Sequence, residues 1–210
     1  MDDSTPENVK WSDHELKMIR HREVFVHKPA IVKKAEHYLK MFEQAMVQEL
    51  ARGEIQVPTG TKVTQGQLVR GENHNGFPFL SLDIPQRFSK TEMFTYRTLF
   101  WWGHYLGFSL ILKGNPLNEY LERLIASQKH ETWSGVYLAA APTPWEWSRS
   151  EENFKNVGQT SSTELRQTVQ SIGYIKLCRF YPLEEESFFS LDWVSAGIQT
   201  WRVFSSITGS

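Results

Sequence analysis

Cysteine is almost absent from this chain: Cys178 is the single one among 210 residues. A lone cysteine cannot form an internal disulfide, which excludes a disulfide-stabilised scaffold and favours a reducing compartment. We therefore expect a cytoplasmic protein. Cys178 lies within the run IKLCRF, where a cysteine is more often a small buried side chain than a nucleophile.

Long apolar runs are also missing. The sequence contains no stretch of about 18 apolar residues, so we expect no membrane-spanning helix and no membrane partner. The first ten residues, MDDSTPENVK, are acidic and polar. They have neither the basic start nor the apolar centre of a signal peptide.

Neither sign of charge dominates. The 23 Lys and Arg residues are balanced by 24 Asp and Glu residues, which leaves a formal net charge of −1. Binding to nucleic acid calls for a basic field interleaved with aromatic side chains, and the basic residues are not concentrated near the aromatic ones here. We expect no nucleic acid among the partners.

The motifs of common enzyme classes are missing as well. The segment 59–62 (TGTK) lacks the earlier glycine of a phosphate-binding loop, and neither G-x-G-x-x-G nor G-x-S-x-G occurs. The histidines are scattered, and no two stand four residues apart, the spacing that places two metal ligands on one helix face. We predict no metal and no cofactor.

Aromatic side chains are abundant, and residues 77–113 hold the densest apolar and aromatic stretch. Phe94–Trp102 and Tyr105–Leu112 are rich in aromatic and branched residues, a composition that favours strands. The Gly-His pair between them suits a two-residue turn of type II′. The sequence therefore predicts an antiparallel hairpin at the centre of the sheet.

This turn would fix the register of the hairpin. Trp102 would lie opposite Tyr105 and Phe100 opposite Gly107, so that large rings and small residues share one face. The other face would be largely aliphatic, except for Arg97. A buried guanidinium needs a partner, so either the register is shifted or Arg97 meets a carboxylate.

Hydrophobic spacing and turn signals place the remaining elements. We predict helices over 13–22, 29–52, 116–127, 161–173 and 184–204, and strands over 67–70, 79–84, 132–140 and 174–181. This order favours an α+β fold with an antiparallel or mixed sheet, built around the hairpin 94–112 and covered by helices. Residues 1–11 are predicted to be a flexible tail, and 12–210 a single globular domain.

The candidate site combines this hairpin with two irregular segments. One segment, 141–160, carries tryptophans that are costly to expose, and the other, 53–76, carries a polar cluster. If both fold over the ring-bearing face, they form an aromatic pocket with polar groups at its mouth. The predicted ligand-binding residues are Tyr96, Phe100, Trp102, Tyr105, Trp145, Trp147, Arg70 and His74. The alternative is that the two tryptophans of 141–160 close-pack on the sheet and leave no cavity.

Three functions stay open at this point, and no motif specific to a family occurs. The first is a non-catalytic binding module with a small molecule in the aromatic pocket. The second is a hydrolase or transferase that uses the polar cluster Arg70, Glu72, His74 and Asn75. The third is a structural or interaction protein, in which exposed tryptophans are buried in a homo-oligomer interface.

Overall fold

The computed structural model describes residues 10–53, 55 and 57–209. In this part of the chain five helices and seven strands form an α+β fold. The helices are α1 (Asp13–Arg20), α2 (Glu23–Ala51), α3 (Leu117–Ser127), α4 (Ser162–Ile172) and α5 (Trp193–Ser205). The strands are β1 (Gln67–His74), β2 (Phe77–Phe88), β3 (Met93–Trp101), β4 (Tyr105–Lys113), β5 (Tyr137–Ala139), β6 (Phe154–Asn156) and β7 (Ile175–Pro182).

The strands form one open sheet in the order β1-β2-β3-β4-β7-β5-β6. Every pairing is antiparallel. The predicted hairpin is confirmed as β3 and β4, and β4 is the middle strand of the sheet. Strand β7, the last in the chain, is inserted between β4 and β5. The first four strands are therefore a meander, and the last three are not.

The sheet has two covered faces. Helices α2, α3, α4 and α5 pack on one of them, the helix face, and form the main hydrophobic core with residues such as Phe42, Tyr96 and Phe108. An irregular segment, residues 141–153, crosses the opposite face, and we call it the strap. Side chains alternate along a strand, so β3 sends Tyr96 to the helices and Trp101 to the strap.

The predicted register of the hairpin is wrong by one residue. Trp101, not Trp102, lies opposite Tyr105, and Leu99 lies opposite Gly107. The turn has three residues instead of two, and Gly103 has a φ of 74°, as the third position of a type II turn requires. Tyr105 and Gly107 therefore lie on the strap face and not beside the rings of Tyr96 and Phe100.

The predicted capping signals of α1 and α4 are confirmed. Ser12 and Glu15 form the expected capping box at the start of α1. Ser161 caps α4, which ends at Gly173 with a φ of 73°. Helix α1 ends at Arg20, two residues earlier than predicted.

Two helix starts are corrected. Helix α2 begins at Glu23, so Pro29 is an interior residue and not the first one. The apolar spacing of the helix continues through residues 24–28, and the hydrogen bond lost at the proline does not interrupt it. Helix α5 begins at Trp193, not at residue 184, because the Asp192 side chain accepts from the amides of Val194 and Ser195 and caps the helix there.

Three strand assignments also change. Strands β1 and β2 are longer than predicted and meet at the turn Asn75-Gly76, where both φ values are positive, as in a type I′ hairpin. The predicted strand 132–140 shrinks to β5 because a short 3-10 turn occupies Glu131–Trp133. Strand β6 was not predicted. Residues 1–9 of the predicted tail lie outside the described residues.

Among the described helices, none combines the length and apolar character that crossing a bilayer requires.

Candidate functional site

A buried lysine fastens the strap to the sheet. Lys176 of β7 is 4% exposed, and its Nζ donates to the carbonyl oxygens of Pro144, at 2.9 Å, and Glu146, at 2.8 Å. Burial disfavours the charged ammonium group and lowers the pKa of Lys176. The two carbonyls satisfy donors that would otherwise be unpaired in the interior.

Two tyrosines hold the strap on either side of this lysine. The Tyr174 hydroxyl donates to the carbonyl of Ala141 at 2.6 Å, and the Tyr105 hydroxyl donates to the carbonyl of Trp147 at 2.7 Å. Burial raises the pKa of Tyr105 well above its ordinary value, and it raises the pKa of Tyr174 as well. Both hydroxyls are therefore protonated donors at neutral pH.

Trp147 closes an aromatic cluster between the strap and the sheet. Its side chain is 6% exposed. The centre of its ring lies 3.7 Å from that of His74, 4.8 Å from Phe79 and 6.0 Å from Trp101. Segment 141–160 was expected to cover the face of Tyr96 and Phe100, and that is wrong: Trp147 covers the opposite face, which carries Trp101.

His74 lies beneath this tryptophan with an unsatisfied nitrogen. Its Nε2 is enclosed and has no hydrogen-bond partner. Desolvation lowers the pKa of His74, while the nearby Glu146 carboxylate acts in the opposite direction. Neutral imidazole is the form that this packing favours.

The sequence offered two explanations for Arg97 on this face, a carboxylate partner or a shifted register, and the structure shows both. Its guanidinium makes two hydrogen bonds to Asp83, at 2.8 and 2.7 Å. Trp145 lies over the same guanidinium, with 4.6 Å from the ring centre to Cζ. Trp145 is 39% exposed. It therefore shields a buried ion pair instead of lining a pocket with Trp147.

An open cleft of about 330 Å³ lies next to this cluster, between the β3–β4 turn and the strap. Aromatic rings and polar groups share its lining. The rings belong to Phe77, Trp101, His104 and Tyr105, and the polar groups to Asn75, Ser148, Arg149 and Glu184. We call it the turn cleft.

Two side chains of the turn cleft have unused binding capacity. The His104 ring stacks on Trp101, with 3.7 Å between ring centres, and its Nε2 is enclosed without a partner. The Arg149 guanidinium lies over Phe180 at 4.9 Å and over Tyr137 at 5.7 Å. Within the described residues Arg149 makes neither an ion pair nor a hydrogen bond, so its donors are free.

Four of the predicted site residues lie elsewhere. Tyr96 and Phe100 face the helices, where the Tyr96 hydroxyl donates to the carbonyl of Gly197 at 2.7 Å. Trp102 lies in the turn and packs against the helix-side core. Arg70 is paired with Glu36 of α2. Of the predicted set, the structure brings together Tyr105, Trp147 and His74, with Trp145 on the same face at the buried ion pair.

The polar cluster expected around His74 does not converge. Its residues belong to strand β1 and the adjoining turn, not to a long loop. Arg70 pairs with Glu36, and Glu72 pairs with Lys28, so both are bound to helix α2 while His74 lies under the strap. In the part of the chain that the structure describes, no three His, Cys, Asp or Glu side chains are grouped to hold a metal ion.

Sequence reasoning missed Phe77, Trp101, His104 and Arg149. The alternation along β3 already separates Trp101 from Tyr96, so a three-residue turn would have placed Tyr105 beside Trp101. Gly103 gives no signal for the turn length, since a glycine suits both turns. Arg149 is an exposed side chain in an irregular segment, and nothing local distinguishes it from other surface arginines.

The chain matches no family model, no curated protein and no solved structure.

Proposed function

We propose that the chain is a non-catalytic binding module whose turn cleft holds a small planar molecule with one negative charge. The observation that carries this proposal is Arg149, a cation without an acidic partner among the described residues, placed at an aromatic-lined concavity. The other groups of the cleft complete a site of this kind.

Size and lining support a ligand of metabolite size. The cleft volume of about 330 Å³ falls at the lower end of the range for small-molecule sites, which are concave, largely apolar and furnished with a few polar groups. Trp101 and Tyr105 are 2% and 4% exposed and form the buried base of the cleft, whereas Phe77 is 40% exposed and offers its ring to a planar ligand. Rigid rings bind a planar ligand at a small cost in conformational entropy.

Charge supports an anion. A guanidinium presents paired N–H donors that match a carboxylate, and a charge-assisted pair of this kind is stronger than a neutral hydrogen bond. Phe180 and Tyr137 lie beneath the guanidinium and limit its orientations. Glu184, exposed at the same cleft, repels a second negative charge, which favours a monoanion.

Calorimetric titration with a panel of aromatic carboxylates, each paired with its neutral amide, tests this proposal. We expect at least one carboxylate to bind to the wild type and its amide to bind more weakly. Arg149→Gln should lower the affinity about tenfold or more, because a charged hydrogen bond contributes about 1.5–3 kcal/mol. Arg123→Gln, which changes an exposed arginine on α3, is the matched control.

The control Arg123→Gln should bind the carboxylate with the same affinity as the wild type. Binding that is equal in Arg149→Gln and wild type, or a panel in which no carboxylate binds, would contradict the proposal.

A further inference from the structure

The N-terminal arm, residues 10–34, exposes an unusual amount of apolar surface. Trp11 is 66% exposed, Met18 57%, Ile19 58% and Phe25 74%. None of the residues of α1 is buried. Several large apolar side chains exposed within so short a segment indicate an interaction site.

Helix α1 is too short to be stable without a cover. It has eight residues, and isolated helices below about 12 residues are marginal in water. Its capping box contributes roughly 1 kcal/mol, which does not offset the cost of nucleation. A surface that packs on the apolar side of α1 would supply what is missing.

The apolar stripe of α2 also continues beyond the part of the helix that the sheet covers. Val24, Ile31, Ala35, Tyr38 and Phe42 recur at helical spacing on one side of the helix. Phe42 and Ala35 are 1% and 4% exposed, whereas Ile31 and Val24 are 40% and 48% exposed. The sheet therefore covers the C-terminal part of the stripe and leaves its N-terminal turns open.

An apolar groove of about 210 Å³ lies where this cover ends. Helix α2 forms one wall with Ile31 and Tyr38, and the short 3-10 helix Glu186–Ser190 forms the other with Phe189. Phe189 is 83% exposed. The groove and α1 are thus two uncovered apolar surfaces of the same chain.

Their charges are complementary. Residues 10–34 contain seven Lys and Arg against three Asp and Glu, a net charge of +4 in a chain whose total is −1. Glu184, Glu185 and Glu186 are separated from Phe188 and Phe189 by Ser187 alone, and none of these carboxylates is ion-paired within the described residues. The basic last turn of α1, with Lys17 and Arg20, fits this acidic rim.

We propose that a second copy of the chain covers this surface. Helix α1 of one protomer lies in the groove between α2 and Phe189 of its partner, and the partner's α1 lies in the groove of the first. A reciprocal contact of this kind has two-fold symmetry and closes at a dimer. It buries both apolar surfaces and places Lys17 and Arg20 beside the Glu185–Glu186 rim.

Sedimentation equilibrium of the full chain over a range of concentrations tests the proposal. We expect a reversible change from the monomer mass of 24.5 kDa to twice that value. Ile19→Glu on α1 and Phe189→Ser at the groove should each weaken the dimer at least tenfold. As the control, Met41→Glu introduces the same charge as Ile19→Glu, but on α2, at a methionine that is 43% exposed. This variant should leave the dimer unchanged.

Charge reversal identifies the two surfaces as partners. The variant Glu185→Lys/Glu186→Lys should weaken the dimer, and adding Lys17→Glu/Arg20→Glu to the same chain should restore it. Circular dichroism confirms that each variant is folded.

A wild type that stays at the monomer mass at every concentration overturns the proposal, including the case in which the arm binds vesicles containing phosphatidylserine instead. A dimer that persists in both Ile19→Glu and Phe189→Ser overturns it as well, because the contact would then lie elsewhere.

Discussion

Phe42 connects helix α2 to the sheet through aromatic contacts. Its ring centre lies 5.6 Å from that of Phe108 and 6.2 Å from that of Tyr96. We expect Phe42→Ala to lower the free energy of unfolding by roughly 3–5 kcal/mol, because the change removes buried surface and leaves a cavity. Urea denaturation measures this loss. Met41→Ala, at the neighbouring exposed position, should change the stability by less than about 0.5 kcal/mol.

A similar small loss in both variants would contradict the prediction and would mean that α2 is held by other side chains.

We expect His74 to make the free energy of unfolding depend on pH. Its pKa is lowered in the folded protein, mainly by desolvation, so the unfolded chain takes up a proton at a higher pH than the folded chain does. The free energy of unfolding should therefore decrease as the pH falls through 6.5, the ordinary value for histidine, and below it. Urea melts between about pH 8 and about pH 5 measure this slope.

His74→Asn should flatten the slope, whereas His37→Asn, which changes an exposed histidine on α2, should leave it as in the wild type. If the slopes of all three proteins coincide, another group is responsible for the acid sensitivity.

At the scale of elements, the local sequence predicts the helix ends that local interactions determine. The start of α1 and both ends of α4 follow from caps and a C-terminal glycine, since these signals act within one turn. The long apolar stripe identifies α2, although not its first residues. The α+β class follows from the same periodicities.

The register of the central hairpin depends on a contact that local sequence does not contain. The amide of Trp102 donates to the carbonyl of Pro78 at 3.0 Å, so strand β2 draws Trp102 out of the β3–β4 ladder. The strap likewise depends on Lys176, which is 30 residues or more away from the carbonyls that it binds. These two long-range contacts explain why Tyr105 and the strap lie on the face of Trp101 and not on that of Tyr96.

Helix α5 approaches α2 and the sheet through Gly197. A Cβ added there would lie 2.7 Å from Cε1 of Phe108 and closer still to the Phe42 ring. Alanine is the better helix former by about 1 kcal/mol, but we expect overpacking to dominate, with a net loss of roughly 1–3 kcal/mol for Gly197→Ala. Thermal denaturation shows whether Gly197→Ala is less or more stable than the wild type, and Gln199→Ala, at an exposed position, is the control. A stabilised Gly197→Ala would show that the two helices can move apart at little cost.

For the whole molecule, the strand order predicts a gradient of local stability. Strands β3, β4 and β7 are the three central strands, whereas β1 and β6 are the edges of the sheet. Amide hydrogen exchange should be slowest in β4 and its neighbours and fastest in β1 and β6, because edge strands open without disrupting the rest of the sheet. Amides of β1 that exchange as slowly as those of β4 would contradict this order.

The insertion of β7 between β4 and β5 has a consequence for synthesis. The meander β1–β4 can pair as it leaves the ribosome, because its neighbours in space are neighbours in the chain. Strands β5 and β6 are made next, but they join the sheet through β7, which is translated after them. Until then, the open edge of β4 is a template for intermolecular pairing. The nascent chain is thus most vulnerable to aggregation during the interval between the completion of β4 and the emergence of β7.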